Sequence, residues 1–182
     1  MKLSFDVDQG AGSKAALGLI VLQSDESMEA ELRSVFDQPG LALYHSRITS
    51  APEVTPETLA QMELDLPVAA ALLPTAQPLD VVGYGCTSGA TVIGADKISA
   101  IIRAAQPTSK TTDPISAVMA ASRHLGVKRI GFVTPYVADV SEAMRALLEQ
   151  NGLEVAAFGS FEQIEESVVS RITEQSVLEA VC

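Results

Sequence analysis

Two cysteines stand in this chain, Cys86 and Cys182, and only the first has neighbours that suggest chemistry. Cys86 sits in Gly83-Tyr84-Gly85-Cys86-Thr87-Ser88-Gly89-Ala90-Thr91, where an apolar strand runs out into glycine and a helix begins. Ligands of open α/β sheets bind at that carboxyl edge of the strands. The backbone N–H groups of Thr87, Ser88 and Gly89 would point into a cleft there. The positive end of the helix would add to them, and the small side chains would let a carboxylate come close. A helix N-terminus favours thiolate, so Cys86 is expected to lose its proton more easily than a free cysteine and to serve as nucleophile or base. The plainer alternative is a small cysteine that fills space at a tight turn.

A second group stands at the matching place further along. Thr134-Pro135-Tyr136 follows the strand Arg129-Ile130-Gly131-Phe132-Val133, so a hydroxyl and a phenol could face the same cleft as Cys86. Tyr136 could equally be an aromatic packed near a turn. The first strand also ends in polar residues, Gln23-Ser24-Asp25-Glu26-Ser27, at a helix start where Ser27 suits a cap. Asp25 would repel an anion and could instead bind an ammonium or hydroxyl group of the substrate. His45 and His124 stand far apart, and no CxxC, HxH or HExxH spacing occurs, so a metal site has no support.

The elements that must position these residues alternate. Leu17–Leu22 reads as a buried strand, and a helix from Ser27 to Phe36 follows, stopped by Pro39-Gly40. Leu41–His45 is a second strand. A polar loop from Ser46 to Pro56 comes next, long enough to be functional or simply a mobile surface connection. A helical stretch from Glu57 to Leu73, interrupted by Pro67, leads to a third strand over Leu79–Gly85. Helix follows with Ile93, Ile98, Ile101 and Ile102 on one face, closed by the polar stretch Gln106 to Asp113. Asp113-Pro114 opens a helix that Gly126 ends. Then come a strand over 129–134, a helix over 140–150 and a strand over 154–158. Ser160 and Gln163 form a possible capping box for the next helix, and a last helix runs from Thr173 to Val181. This order predicts an α/β protein with parallel sheets flanked by helices, in two similar lobes, 1–105 and 106–182. The second lobe reads as short by one strand.

Composition bounds the partners. The 182 residues are 47% apolar and 19% charged, which fits a globular unit or two small lobes sharing a core. With 12 Lys+Arg against 23 Asp+Glu the net charge is −11, so a basic footprint for nucleic acid or an anionic membrane is not expected. No apolar stretch approaches the ~20 residues of a membrane span. The N-terminus carries early acids and no apolar signal core, which places the protein in the cytoplasm with both cysteines as thiols.

Taken together, these residues resemble the aspartate/glutamate racemase superfamily, in the branch of maleate cis-trans isomerases and arylmalonate decarboxylases. The resemblance rests on LGLIVLQSDESMEAE, GYGCTSGA, DPISAVMAASRHLGVKRIGFVTPYVADV and FEQIEESVVSRITEQSV, and covers nearly all of the chain after Lys14. It implies a pseudo-symmetric, two-lobed α/β fold with the active site between the lobes. It implies chemistry without a cofactor on a small carboxylate, with Cys86 as the thiolate that attacks an alkene or moves a proton. The residues after Cys86 and the Thr134–Tyr136 segment would then hold carboxylates. Arylmalonate decarboxylases tend to lack a cysteine at the first position, so Cys86 points to an isomerase or racemase.

Two departures from the family pattern matter. Where maleate isomerases tend to have Asn in the first-strand loop this chain has Asp25, as in members linked to ectoine utilisation, which points away from a plain dicarboxylate. The family's second cysteine, in a segment like SCTNL, has no counterpart here, and Cys182 falls at the end of a helix. The alternative to an isomerase is therefore a truncated or inactive relative that binds carboxylates or forms oligomers. A homo-oligomer is expected in either case, to cover apolar surface left by the short lobe.

Overall fold

The computed structural model describes residues 1–182. The elements run β1 (Ala15–Leu22), α1 (Met28–Phe36), β2 (Leu41–Ile48), α2 (Pro56–Ala71), β3 (Val81–Tyr84), α3 (Thr87–Ile93), α4 (Ala95–Ala105), β4 (Lys110–Thr112), α5 (Pro114–Leu125), β5 (Arg129–Tyr136), α6 (Ala138–Gln150), β6 (Glu154–Gln163), α7 (Glu166–Val169) and α8 (Glu174–Val181). The first sheet has the order β2-β1-β3-β4 and the second pairs β5 with β6, every pairing parallel. The α/β alternation expected from the sequence is what forms. The second sheet holds two strands, and no helix is long and apolar enough to cross a membrane.

β1 is central because its residues can be buried on both faces. Ile20 and Val21 are fully enclosed, and Val82 of β3 beside them is too. Leu59, Met62, Leu66 and Ala70 of α2 and Ile98 and Ile102 of α4 join the same core. That core continues through Ala90 and Ile93 of α3 to Val140, Met144 and Leu148 of α6, so one hydrophobic cluster serves both sheets. The lobes are thus tied by α3, the helix that begins at Cys86.

Three local expectations change. The polar stretch 106–113 contains a strand: Lys110–Thr112 adds to the edge of β3, and Ser109 Oγ donates to Leu79 O at 2.7 Å. Three residues at a sheet edge carry no apolar signature, and the first sheet therefore takes in residues past 105. α2 runs unbroken through Pro67, which lies on its exposed side, where water can take the freed carbonyl. Ser160 and Gln163 do not cap a helix, because β6 continues through Gln163 and the Ser160 hydroxyl donates to the Tyr136 carbonyl instead.

The centre of the first sheet depends on Gly18. A Cβ there would lie 2.9 Å from Leu79 Cδ1, 3.0 Å from Leu73 Cδ1 and 3.2 Å from Val82 Cγ2. Leu73 and Leu79 come from the connection between α2 and β3 and Val82 from β3 itself, and all three side chains are buried in the core. Gly18→Ala should lower the unfolding free energy by about 1–3 kcal/mol, read from urea denaturation. An unchanged midpoint would show that the space is not closed.

Candidate active site

The apolar run of β3 ends at Tyr84. Gly85 N–H then donates to Ile20 O at 2.7 Å, which holds the turn against β1. Cys86 is in extended backbone as the N-cap of α3, and Gly89 N–H donates to its Sγ at 3.2 Å, as a capping side chain does at a helix start. Ser88 Oγ lies 3.5 Å from the same sulfur. A Cβ at position 89 would come within 2.6 Å of Tyr84 Oη and 3.0 Å of Cys86 Sγ, so glycine is what lets the thiol and the phenol meet over the helix start.

The expectation of an acidic thiol does not hold. Cys86 is only 5% exposed, and burial pushes its thiol up. The hydrogen bonds from Ser88 and Gly89 act the other way but are smaller, and the negative charge of Glu166 adds to the rise. Desolvation of the thiolate thus outweighs the hydrogen bonds that the helix start gives it. Tyr84, whose hydroxyl donates to Met62 Sδ at 3.7 Å, is also pushed up, by burial first and then by Cys86. At neutral pH the resting pair is therefore a thiol beside a neutral phenol.

From the second lobe comes Tyr136, at the end of β5. Its register with β6 shifts between Thr134 and Tyr136, opposite a stretch where Glu162 takes a positive φ of 54°. Pro135 has no N–H to give a ladder, and an irregularity there re-aims the strand end. Thr134, expected beside the cleft, is 1% exposed. Its Oγ1 accepts from Tyr136 N–H at 3.2 Å and from Ser141 Oγ at 3.3 Å, while Ser141 Oγ also donates to Tyr136 O at 2.9 Å. Thr134, Ser141 and Ser160 therefore hold the backbone of Tyr136. Its phenol is pushed up by burial, then by the charges of Cys86 and Glu166, with the Ser88 hydroxyl opposing. The structure thus brings Cys86, Ser88, Tyr136 and Glu166 together between the lobes.

Asp25 stands in the loop after β1, close enough for its charge to act on Glu166. Its Oδ1 accepts from Ser27 N–H at 3.1 Å and Met28 N–H at 2.9 Å, so Asp25 caps α1 and the Ser27 side chain does not. Arg47 fixes this loop. Its Nη1 donates to the carbonyls of Leu22, Gln23 and Asp25, and its Nη2 to Glu29 Oε1 at 2.7 Å. The long loop after β2 is clasped to the second lobe: Val54 N–H donates to Ile164 O at 2.9 Å and Glu166 N–H to Pro52 O at 3.0 Å. The clasp delivers Glu166, which burial, and secondarily Asp25, push up. A cavity of about 530 Å³ opens here, lined by Ser24, Glu26, Glu53, Glu165 and Glu166 among others.

Of the expected anion donors, Ser88 is buried beside the sulfur and Thr87 half-buried, while the Gly89 N–H is already taken by Cys86. Cys182 is exposed at the end of α8. Sequence reasoning missed Glu166, Ser141 and Ser160. The signal for Glu166 was the strand running past residue 158, which puts Glu165-Glu166 at a carboxyl sheet edge, where the short helix α7 begins.

A carboxyl held protonated to higher pH in the folded than in the unfolded state makes the fold less stable as pH rises from about 4.3, the ordinary glutamate value, through the folded value. The deficit persists above that window. Glu166→Gln removes it, so the variant should melt at or above the wild-type temperature near pH 7 and coincide with it near pH 4. Equal destabilisation at both pH values would contradict the shift.

The comparisons agree with this geometry. The family model of arylmalonate decarboxylase matches residues 40–182. A maleate isomerase of Pseudomonas putida is 25% identical over 167 residues, 85% of this chain and 66% of the relative. A maleate isomerase of Nocardia farcinica is 25% identical over 174 residues, 90% of this chain and 68% of the relative. The chain thus spans about two thirds of the length of these relatives. Among solved structures, a cysteine-to-serine variant of Nocardia farcinica maleate cis-trans isomerase, with a covalently bound succinylcysteine intermediate, superposes with a TM-score of 0.83 at 22% identity. That match covers 92% of this chain and 71% of the other. A cleft cysteine between two parallel α/β lobes and a family match over most of the chain lead to one assignment: this chain belongs to the arylmalonate decarboxylase family, which here extends to maleate isomerases.

Proposed function

We propose that the chain carries the site of a cofactor-independent isomerase or racemase of a small carboxylate, with Cys86 as the reacting group. The observation that supports this most directly is the buried Cys86 thiol at the end of β3, gripped by Gly89 N–H and faced by Tyr136 from the other lobe. The related Nocardia enzyme, captured with a succinyl group on a cysteine, shows such chemistry in a protein of this fold.

Cys86 rests as a thiol, so the first event is loss of its proton to a group in the cleft. Binding of a substrate that brings a positive partner to the sulfur would favour the thiolate. In the isomerase form, sulfur bonds to one alkene carbon and a proton adds to the other, giving a single bond about which the adduct turns. Loss of the same proton and sulfur restores the double bond. In the racemase form the thiolate instead removes the proton next to a carboxylate, and the carbanion is reprotonated on its opposite face by an acid or water there. Tyr136 and Ser88 would orient the carboxylate, as neutral donors.

Proton NMR in D₂O follows both reactions on a panel of maleate and the aspartate enantiomers. Alkene isomerisation or α-deuteration by the wild type should disappear in Cys86→Ala, whose fold is checked by circular dichroism. Retained turnover would rule Cys86 out. A second reading rests on Cys182, which is exposed and offers no second thiol to the cleft. On that reading the chain binds carboxylates without converting them, and these ligands raise its melting temperature while the NMR spectra stay unchanged.

A further inference from the structure

We infer that a second binding site, separate from the cleft, lies at the opposite end of the second sheet and takes a dianionic phosphate group. It is the cavity of about 420 Å³ between the α5–β5 turn and the α6–β6 turn. β5 begins beside it at Arg129 and ends at Tyr136, so an eight-residue strand, about 25 Å long, separates it from the cleft. Ser122, Arg123 and Lys128 supply its polar side, and Met119, Val127 and Leu153 its apolar side.

The local charge is opposite to that of the whole chain. The net charge is −11, yet no acid occurs between Asp113 and Asp139, and none lines this cavity. The acids on either side of the facing turn, Glu149 and Glu154, are paired with Arg145 at 3.2 Å and with Arg129 at 2.9 Å. Arg123 and Lys128 enter none of the ion pairs of the protein, so both keep their charge for a ligand. Neither is needed to close a helix. Gly126 and Val127 N–H donate to the last carbonyls of α5, those of Arg123 and Ser122, and Gly152 and Leu153 N–H do the same for Glu149 and Leu148 of α6.

Ser122 carries the inference beyond surface charge. It lines the cavity and is only 9% exposed, yet its hydroxyl makes no hydrogen bond within the protein. Buried polar groups ordinarily find a partner, and the side left for one here is the cavity. Guanidinium, ammonium and hydroxyl donors match the oxygens of a tetrahedral dianion, whose two charges the two cations balance. A monocarboxylate would leave one cation unmatched. Room is provided by the two turns, because no atom lies within 4 Å of where a Cβ at Gly126 or Gly152 would stand.

The test is isothermal titration with inorganic phosphate, phenyl phosphate and acetate at one ionic strength and near pH 8, above the second ionisation of a phosphate monoester at about 6. The wild type should bind phosphate or its phenyl ester with a dissociation constant of about 1 mM or tighter, and acetate about tenfold more weakly or worse. Tighter binding of phenyl phosphate would identify the ligand as an organic ester seated on Met119, Val127 and Leu153, and equal binding would identify it as the free anion. Arg123→Gln and Lys128→Gln change exposed side chains, so the fold should hold by circular dichroism while each weakens phosphate binding about tenfold. Ser122→Ala should weaken it by about threefold, within the range of one neutral hydrogen bond. Arg103→Gln, at an exposed arginine of α4, should leave it unchanged. The inference would be overturned by the absence of phosphate binding to the wild type, by acetate binding as well as phosphate, by an equal loss in Arg103→Gln, or by binding that survives Arg123→Gln/Lys128→Gln.

Discussion

At the carboxyl end of β3 there is no room for a side chain at position 89. Tyr84 Oη, Cys86 Sγ and the Gly89 amide share one small volume, and the backbone of α3 starts inside it. Much follows from this contact. Since Gly89 N–H is given to the sulfur, the thiol is the cap of its own helix. Since Ala90 and Ile93 then run on into the core shared with α6, the position of the sulfur is coupled to the packing of both lobes. The same crowding removes water, and loss of hydration governs the thiol more than the hydrogen bonds it receives do.

Around that fixed point the cleft is built from two unlike walls. On one side Tyr136 is held by its backbone, through Thr134, Ser141 and Ser160, which leaves the phenol as the part free to meet a ligand. On the other side Arg47 ties the loop after β1, and the strap at Pro52–Val54 holds Glu166. The first wall presents neutral donors and the second presents carboxyl groups.

The alternation of strands and helices was legible in the sequence because each buried strand is a short apolar run and each helix has a cap or a glycine stop. Cys86, Ser88 and Tyr136 were legible as well, from their place just past strands. What escaped did so for physical reasons. β4 is three polar residues on an edge, without a periodic signal. Residues 159–163, Gly-Ser-Phe-Glu-Gln, suit either a bulged strand or a cap, and choosing the cap hid Ser160 and Glu166. The bonds of the Thr134 hydroxyl to Tyr136 N–H and Ser141 Oγ were not legible, because Ser141 lies seven residues on and only the turn at Tyr136 brings it back. The direction of the Cys86 shift was misjudged because the helix start was visible in the residues and the burial was not.

The central claim is that Cys86 is a preformed, desolvated thiol reached from the cleft, not an exposed thiolate. The pH dependence of its alkylation, followed by mass spectrometry with exposed Cys182 as the internal reference for reagent, tests this most directly. The account predicts slow labelling of Cys86 that rises with a midpoint above the free-thiol value of about 8.5. A midpoint below that value, or labelling as fast as at Cys182 across the range, would contradict it.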